Sequence, residues 1–456
     1  MLYDKNDIQS IFSYAKSLEG KKFKDVGSNP VLFNNTKGGL GQFIEEEYFG
    51  YKVNSRSEAD FFEAGLELKV TPYKTNKNGT KSAKERLVLN IINYMDEVEK
   101  SFDESSFWTK SNKILLVFYE WLKDVSKEEY EIRKVLLFQY PEEDLIIIKR
   151  DWEEINEKIK NGLAHTISEG DTLYLGACTK GANKNSLRQQ PNSNILAKQR
   201  AYSLKQSYMT SVLNKYAFGS NTSEKIIKDY KDIQYISLEQ YILGKYSKYY
   251  NKRIDDLKQQ FNIKGNPKQY VYMIASKILG VNNISKTEEI EKANIKIKTV
   301  RLEKDGHIEQ SMSFPGFKFK DLVKEEWEES TLRTMFYETK FLIFVTQKNC
   351  KGDLIFKKAL FWNMPIEVLD GQIKDTWLET VRIIQEGVKL VNKNGMIYNN
   401  LPGIKFNGIC HVRPHTSVSS YEKGNPNADE LPDGRWMTKQ CFWLDRKYVR
   451  KFLLHE

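Results

Sequence analysis

The first hydrophobic pattern in the chain is helical. Ile8, Ile11, Phe12, Ala15 and Leu18 recur at three- and four-residue intervals and predict an amphipathic helix over residues 7–19. A second helical face, Leu40, Phe43, Ile44 and Tyr48, follows the glycines of Lys37-Gly-Gly-Leu-Gly41 and runs to Gly50. The period then drops to two. Across residues 66–72, Leu66, Leu68 and Val70 point into a core while Glu67 and Lys69 share the opposite face of a strand. Asn76-Lys-Asn-Gly79 predicts a hairpin turn, with 87–94 as the return strand. Continuous apolar runs at 114–119 and 135–138 predict buried strands, and 151–162 predicts a helix closed by Gly162. Residues 172–178 predict a strand leading into the small-residue loop Thr179-Lys180-Gly-Ala-Asn183. Residues 201–216 predict a basic helix carrying Tyr202, Lys205, Tyr208 and Lys215, and Gly219-Ser-Asn-Thr-Ser-Glu224 predicts a linker.

The second half reads as a worn copy of the first. Residues 268–280 echo the helix that ends in Gly50, and Lys292-Ala-Asn-Ile-Lys296-Ile-Lys298 echoes Glu63-Ala-Gly-Leu-Glu67-Leu-Lys69. Residues 339–345 echo 111–117, and Thr438-Lys439-Gln echoes Leu204-Lys205-Gln. Lys69 and Lys205 lie 136 positions apart, Lys298 and Lys439 141. The expected organisation is α/β, with two tandem domains, 1–217 and 233–456, joined by a linker at 218–232, each a central mixed β-sheet flanked by helices. In the copy, Lys296 replaces Glu67 and Glu289 falls opposite Asp60.

Composition narrows the class. With 456 residues the chain exceeds one ordinary core. Its net charge of +10 suits a polyanionic partner, and 25 Tyr and 24 Phe add stacking groups. Four scattered cysteines and five dispersed histidines point away from a zinc site or a disulfide scaffold. The N-terminal sequence lacks a signal-peptide pattern and no apolar run is long enough to span a membrane, so a cytoplasmic location is expected.

Candidate chemistry sits at Asp60-Phe-Phe-Glu-Ala-Gly-Leu-Glu67-Leu-Lys69. Two carboxylates and an ammonium around one point suit a divalent metal ion and an attacking water, and Mg²⁺ keeps several waters for phosphate oxygens. Alone, the Glu-x-Lys pattern fits a solvated edge strand or a plain ion pair equally. Glu45 falls beside the second helical face, where it serves a metal's water shell or is one of three solvated glutamates. Lys296 in the place of Glu67 repels a cation, so the second half is expected to have kept the fold and lost the metal.

These residues resemble the MutH-like DNA nucleases, a branch of the PD-(D/E)xK superfamily, and within it the two-domain type II restriction endonucleases that cut at GATC. The resemblance spans essentially the whole chain. It rests on Lys37-Gly-Gly-Leu-Gly41 with Glu45, Asp60-x6-Glu67-Leu-Lys69, Lys84-Glu-Arg-Leu-Val-Leu-Asn-Ile-Ile-Asn-Tyr94, Thr179-Lys-Gly-Ala-Asn183 and Cys410-His-Val-Arg-Pro-His-Thr416. It implies two tandem MutH-like domains, the first hydrolysing phosphodiesters in double-stranded DNA and leaving 5′-phosphates. Asp60 and Glu67 are implied to bind Mg²⁺, Lys69 to position the water, and Glu45 to act as an auxiliary acid. A further basic residue precedes the buried strand; Lys110 fits it best, with Lys113 the alternative. Lys180 lies in the implied base-reading loop, where Cys178 replaces an expected arginine. Arg413 and His415 keep that loop's basic pattern in the second domain, which is implied to bind a second DNA copy as effector. Lys205 and Lys439 join the expected DNA contacts, Lys205 through sequence-blind phosphate binding. With one catalytic site and two strands to cut, either two molecules meet transiently on the DNA or one nicks each strand in turn. The rival readings are a MutH-type repair nickase and a non-catalytic sequence-specific DNA-binding protein.

Overall fold

The computed structural model describes residues 2–27, 39–51, 58–181, 186–220, 223–265, 267 and 269–454. Lys37 and Gly38, Ala182 and Asn183, and Lys268 lie outside the described residues. Two compact units are present, Met1–Tyr241 with Gly280–Ile295, and Ile242–Leu279 with Lys296–Glu456. Residues 233–241 and 280–295, expected in the second domain, therefore belong to the first unit. No helix among the described residues is long and apolar enough to cross a membrane.

The strands of the first unit are β1 (Glu67–Thr75), β2 (Lys81–Ala83), β3 (Leu87–Ile91), β4 (Lys113–Glu120), β5 (Glu131–Gln139), β6 (Leu175–Thr179), β7 (Leu187–Gln190), β8 (Ser193–Lys198) and β9 (Arg200–Leu204). They form a mixed sheet in the order β2-β1-β4-β5, in which only β1 and β4 run parallel. A separate antiparallel sheet has the order β3-β9-β6, and β7-β8 is a hairpin. Leu66 and Leu68 pack with Leu115 and Val117 of β4, with Ile11, Ala15 and Phe43 of the N-terminal helices Ile8–Lys16 and Gly39–Phe43, and with Ile44 just after the second. Burying each leucine is worth about 1.5–3 kcal/mol. A one-residue slip would forfeit both, so the register that turns Glu67 to the other face is held by apolar burial.

Three expected elements are corrected. The hairpin turn at Gly79 (φ +81°) forms, but its return strand is the short β2; β3 leaves for the other sheet and pairs with β9. The side-chain amide of Gln206 donates to the carbonyls of Ala83 (2.8 Å) and Lys84 (3.1 Å) at this departure. The helix placed at 151–162 begins nine residues earlier and spans Glu142–Lys160, after Pro141. Residues 201–216 are not one helix. Residues 200–204 are the central strand β9, with Ala201, Tyr202, Ser203 and Leu204 all buried, and a helix follows only over Gln206–Val212.

The second unit contains β10 (Ile295–Leu302), β11 (Met312–Gly316), β12 (Lys340–Lys348), β13 (Leu354–Trp362), β14 (Leu390–Lys393), β15 (Met396–Asn399), β16 (Cys410–Pro414), β17 (Ala428–Glu430), β18 (Trp436–Thr438) and β19 (Gln440–Leu444). Its sheets run β10-β12-β13 and β11-β19-β16, with hairpins β14-β15 and β17-β18. Element by element this repeats the first unit. Gly65 and Asn294, just before β1 and β10, share a left-handed backbone (φ +61° and +52°). The short helices before β4 and β12 are capped alike: the Ser105 hydroxyl accepts from the Trp108 N–H (3.1 Å) and the Ser330 hydroxyl from the Arg333 N–H (3.2 Å). Among the described residues, the β14-β15 hairpin has no counterpart in the first unit, and β2 has none in the second.

One expected pairing fails on register. Leu204 pairs with Leu87 across β3 and β9, and Leu444 pairs with Met312 across β11 and β19. Leu444 is thus the equivalent of Leu204. Lys205 follows its strand, whereas Lys439 precedes its own, and the two lysines are unrelated.

A buried ionic cluster fixes residues 280–295 within the first unit. Lys292, 2% exposed, donates to both Asp144 oxygens (2.6 and 2.8 Å) and pairs with Glu288 at 2.6 Å; Tyr208 donates to Asp144 at 3.0 Å. Removing one partner of a buried pair leaves an uncompensated charge, at a cost of about 3–5 kcal/mol. Lys292→Met is expected to destabilise the first unit by that amount in urea denaturation. Adding Asp144→Leu recovers part of the loss if the charge, and not lost packing, causes it.

Candidate active site

The acidic residues meet because the chain between them folds back on itself. Phe61 and Leu66 form an isolated antiparallel bridge, N–H to O=C at 3.0 and 3.2 Å. Between them a 3₁₀ turn, Phe62–Ala64, closes on Gly65 in the left-handed conformation that glycine adopts at little cost. This miniature hairpin returns Asp60 beside the start of β1. The Leu68 N–H donates to Asp60 Oδ2 at 2.9 Å, and the Asp60 N–H donates to Glu67 Oε2 at 3.3 Å. The six-residue spacing is the length of that loop.

Glu67 is completely buried, and Lys69, two residues along the same strand face, donates to its Oε1. Lys110, at the C-terminal end of the helix Ser106–Ser111, brings its ammonium to 3.6 Å from the same oxygen. Of the two candidate auxiliary lysines, Lys110 is the one beside Glu67; Lys113 begins β4 opposite Gln139. Burial pushes the Glu67 carboxyl up, against the pull of Lys69 and Lys110. Glu45 lies on the π-helical turn Ile44–Tyr48, half-buried and turned toward the site. Burial and the negative charge of Asp60 raise its carboxyl to about 7, against the pull of Lys69.

The donor set suits a hard, hydrated cation. Among the described residues no three His, Cys, Asp or Glu side chains converge into a closed metal cage. Two carboxylates on adjoining backbone, Asp60 half-buried and Glu67 buried, suit Mg²⁺, which is usually held by one or two acids and keeps its waters for phosphate oxygens.

The expected DNA contacts separate into two groups. Lys180 is exposed at the end of β6, with its N–H bonded to the Gln199 carbonyl at 2.8 Å, and Cys178 beside it is buried. Arg413 and His415 of the second unit both lie on Trp443, the guanidinium 3.9 Å from the indole centroid and the imidazole stacked at 5.7 Å. Trp443 carries no sequence signal of its own, being one of five consecutive buried residues in β19. Lys439 is exposed and donates to the Pro426 carbonyl at 2.6 Å. Lys205 is a correction. It is 3% exposed, and its ammonium is bonded to the Thr172 carbonyl at 2.5 Å, so it is withdrawn from any phosphate. Lys215 on the following turn is half-buried and paired with Glu288 at 3.0 Å.

The copy has been dismantled residue by residue. Glu289, opposite Asp60, accepts the N–H groups of Ile226 (3.0 Å) and Ile227 (2.9 Å). Lys296, in the place of Glu67, is exposed, and Lys298, in the place of Lys69, donates to the Ser313 carbonyl at 2.8 Å.

The family described as DNA mismatch repair enzyme MutH matches residues 49–151. The type II restriction enzyme Sau3AI of Staphylococcus aureus is 41% identical over 97% of this chain and 97% of its own length. The DNA mismatch repair protein MutH of Shewanella woodyi is 32% identical over 47% of this chain and 94% of its own length, and that of Pasteurella multocida 27% identical over 39% and 81%.

The raised Glu45 and Glu67 carboxyls predict proton release on metal binding. Below pH 7 Glu45 is largely protonated in the metal-free protein, and a dication arriving beside Asp60 and Glu67 favours the ionised form. Mg²⁺ affinity is therefore expected to rise from pH 6 to pH 8. Calorimetry in buffers of different ionisation heat should detect protons released near pH 6.5, fewer in Glu45→Gln. Equal release by the two proteins would overturn this account of Glu45.

Proposed function

This chain belongs to the family of the type II restriction enzyme Sau3AI and the MutH nucleases, and on that premise we propose that it is a type II restriction endonuclease cutting double-stranded DNA at GATC. The observation that carries the proposal is the meeting of Asp60, Glu67, Lys69 and Lys110 around one buried carboxylate. Asp60 and Glu67 would hold Mg²⁺, which when bound would polarise a phosphate oxygen and lower the pKa of a bound water. Lys69, anchored on Glu67, orients the attacking water, and Lys110 offsets negative charge that grows on the phosphate during displacement. Glu45, ionised once the cation is in place, supplies a further acceptor for the water shell. The products carry 5′-phosphates.

Sequence reading falls to the loops after β6 and β16. Lys180 is exposed just after β6, and arginine or lysine to guanine O6 and N7 is the commonest base-specific contact. Arg413 is supported from below by Trp443, which limits its rotamers before any DNA arrives. The second unit binds a further GATC site as an effector.

Two measurements test this reading. Asp60→Ala is expected to abolish cleavage, and Lys69→Ala to slow it by at least about 10²–10³-fold, with duplex binding retained. A purified Asp60→Ala protein that still cuts would remove the site. Sequencing the ends made by the wild type should place every cut at GATC, only with divalent metal present; nicked circles as the final product would favour a repair nickase. Arg413→Ala should weaken binding to GATC duplexes by about 1–3 kcal/mol and slow cleavage of two-site plasmids, leaving the metal site intact. Unchanged dependence on site number would overturn the effector assignment.

A further inference from the structure

In the second unit a cavity of about 500 Å³ opens where β10, β11 and β19 come together, and Lys298, Ser313, Gly316, His415, Asn427 and Lys439 are among its lining residues. One residue links it to the acid-and-lysine site of the first unit: Lys298, at the position of Lys69. The chemistry of the cavity is inverted. No aspartate or glutamate lines it. The Lys298 ammonium is half-buried, bonded to the Ser313 carbonyl at 2.8 Å and 4.7 Å from the Phe314 ring centroid. No carboxylate pairs with Lys298 among the described residues, whereas Lys69 is paired with Glu67. Lys296, two residues earlier on the same strand face, adds a second positive charge. The thiol of Cys441 is pushed by burial up to about 11 and stays neutral. Lys439 and His415, both exposed, stand among the lining residues.

An ammonium withdrawn from water and given only a carbonyl and a ring face is undercompensated; burial lowers its pKa. Two observations thus point to an anion: a cavity with cationic and neutral polar walls, and a half-buried cation without a counter-charge. A divalent metal is repelled from the same place.

We propose that this cavity is an anion site that holds one phosphate of a duplex DNA backbone directly on Lys298, with Lys439 and His415 beside it and no metal ion. The inference rests on the proposed binding of DNA by the second unit and identifies the chemistry that performs it. In the first unit the strand lysine works through a pair of acids; here the acids are gone and the lysine is itself the phosphate ligand. Phosphate contacts position a protein on the duplex without reading sequence, so the site fixes register for Arg413 on the neighbouring strand.

The test uses the full chain carrying Asp60→Ala, with duplex binding measured over a salt series in the absence of divalent metal. Adding Lys298→Gln should weaken GATC and scrambled duplexes by the same factor and reduce the slope of log K against log salt by about 0.9, the loss of one phosphate contact. Lys298→Arg should restore both. Lys439→Gln, at an exposed residue, should also lower the slope and carries the test if Lys298→Gln fails to fold. An unchanged slope, with Arg413→Ala still weakening GATC duplexes, overturns the anion site and leaves the effector reading standing. If Arg413→Ala too is without effect on binding, and in the chain with Asp60 intact on two-site cleavage, it is the effector reading that falls. Inorganic phosphate is the control: if it raises the thermal midpoint of the wild type but not of Lys298→Gln, while the DNA slope is unchanged, the cavity takes free phosphate and the DNA assignment is overturned.

Discussion

A carboxylate with no exposed surface is the constraint around which the first unit is built. Taking one ion out of water costs several kcal/mol even after relaxation. An ammonium about 4 Å away returns about 4 kcal/mol at an effective dielectric constant of 20. Glu67 has two such neighbours, Lys69 and Lys110, and its carboxyl nevertheless stays raised, because burial outweighs both. The charge is left short of positive partners in the protein alone. Under the proposed function a divalent cation beside Asp60 would supply what is missing, and the burial that makes Glu67 costly would also suit it as a ligand. The local fold serves this arrangement: the left-handed turn at Gly65 brings Asp60 back, the Leu66–Leu68 face pins the register, and the parallel β1–β4 pairing sets Glu67 opposite Ile114.

The second unit shows what the fold requires once that charge is removed. Its core is as apolar as the first, with Ile343, Val345, Phe442 and Leu444 all buried in one cluster. The left-handed turn, the serine-capped short helix and the sheet orders are retained. At the site itself the change lies in charged positions: Lys296 stands for Glu67, and Glu289, opposite Asp60, is bonded to the Ile226 and Ile227 N–H groups. The apolar lattice and the charged site thus answer to separate physical demands, and the second was free to diverge while the first was not.

How much was legible in the sequence follows the same division. The period-two pattern around Glu67, the helical faces of 8–16 and 39–48, and the buried runs of β4 and β5 were all readable, because one-sided burial imprints a period. Residues 201–204 were not. A strand central to its sheet is apolar on both faces, and Ala-Tyr-Ser-Leu followed by a true helix has no period that tells strand from helix. The misassignment carried Lys205 with it: on a surface helix it would meet phosphate, but at the buried end of β9 it satisfies a carbonyl. The pairing of Lys205 with Lys439 failed for a related reason, since similar spacing in two halves does not fix which side of a strand a residue falls on. Trp443 was hidden because its supporting role depends on Arg413 and His415 meeting it across β16 and β19.

The internal repeat also limits how a duplex is cut. A palindromic site presents two scissile phosphates related by a two-fold axis, and equivalent attack on both needs two identical sets of catalytic atoms. The two units of this chain share a fold but not those atoms; Lys296 cannot do for one strand what Glu67 does for the other. The repeat is therefore unable to act as a covalently joined dimer, however alike its sheets. A double-strand cut has to come from a second chain or from a second encounter by the same one. Under either route a second unit that grips DNA without metal, as proposed, would be an asset, since it would hold the protein to the substrate while the single acid-bearing site is reassigned from one strand to the next.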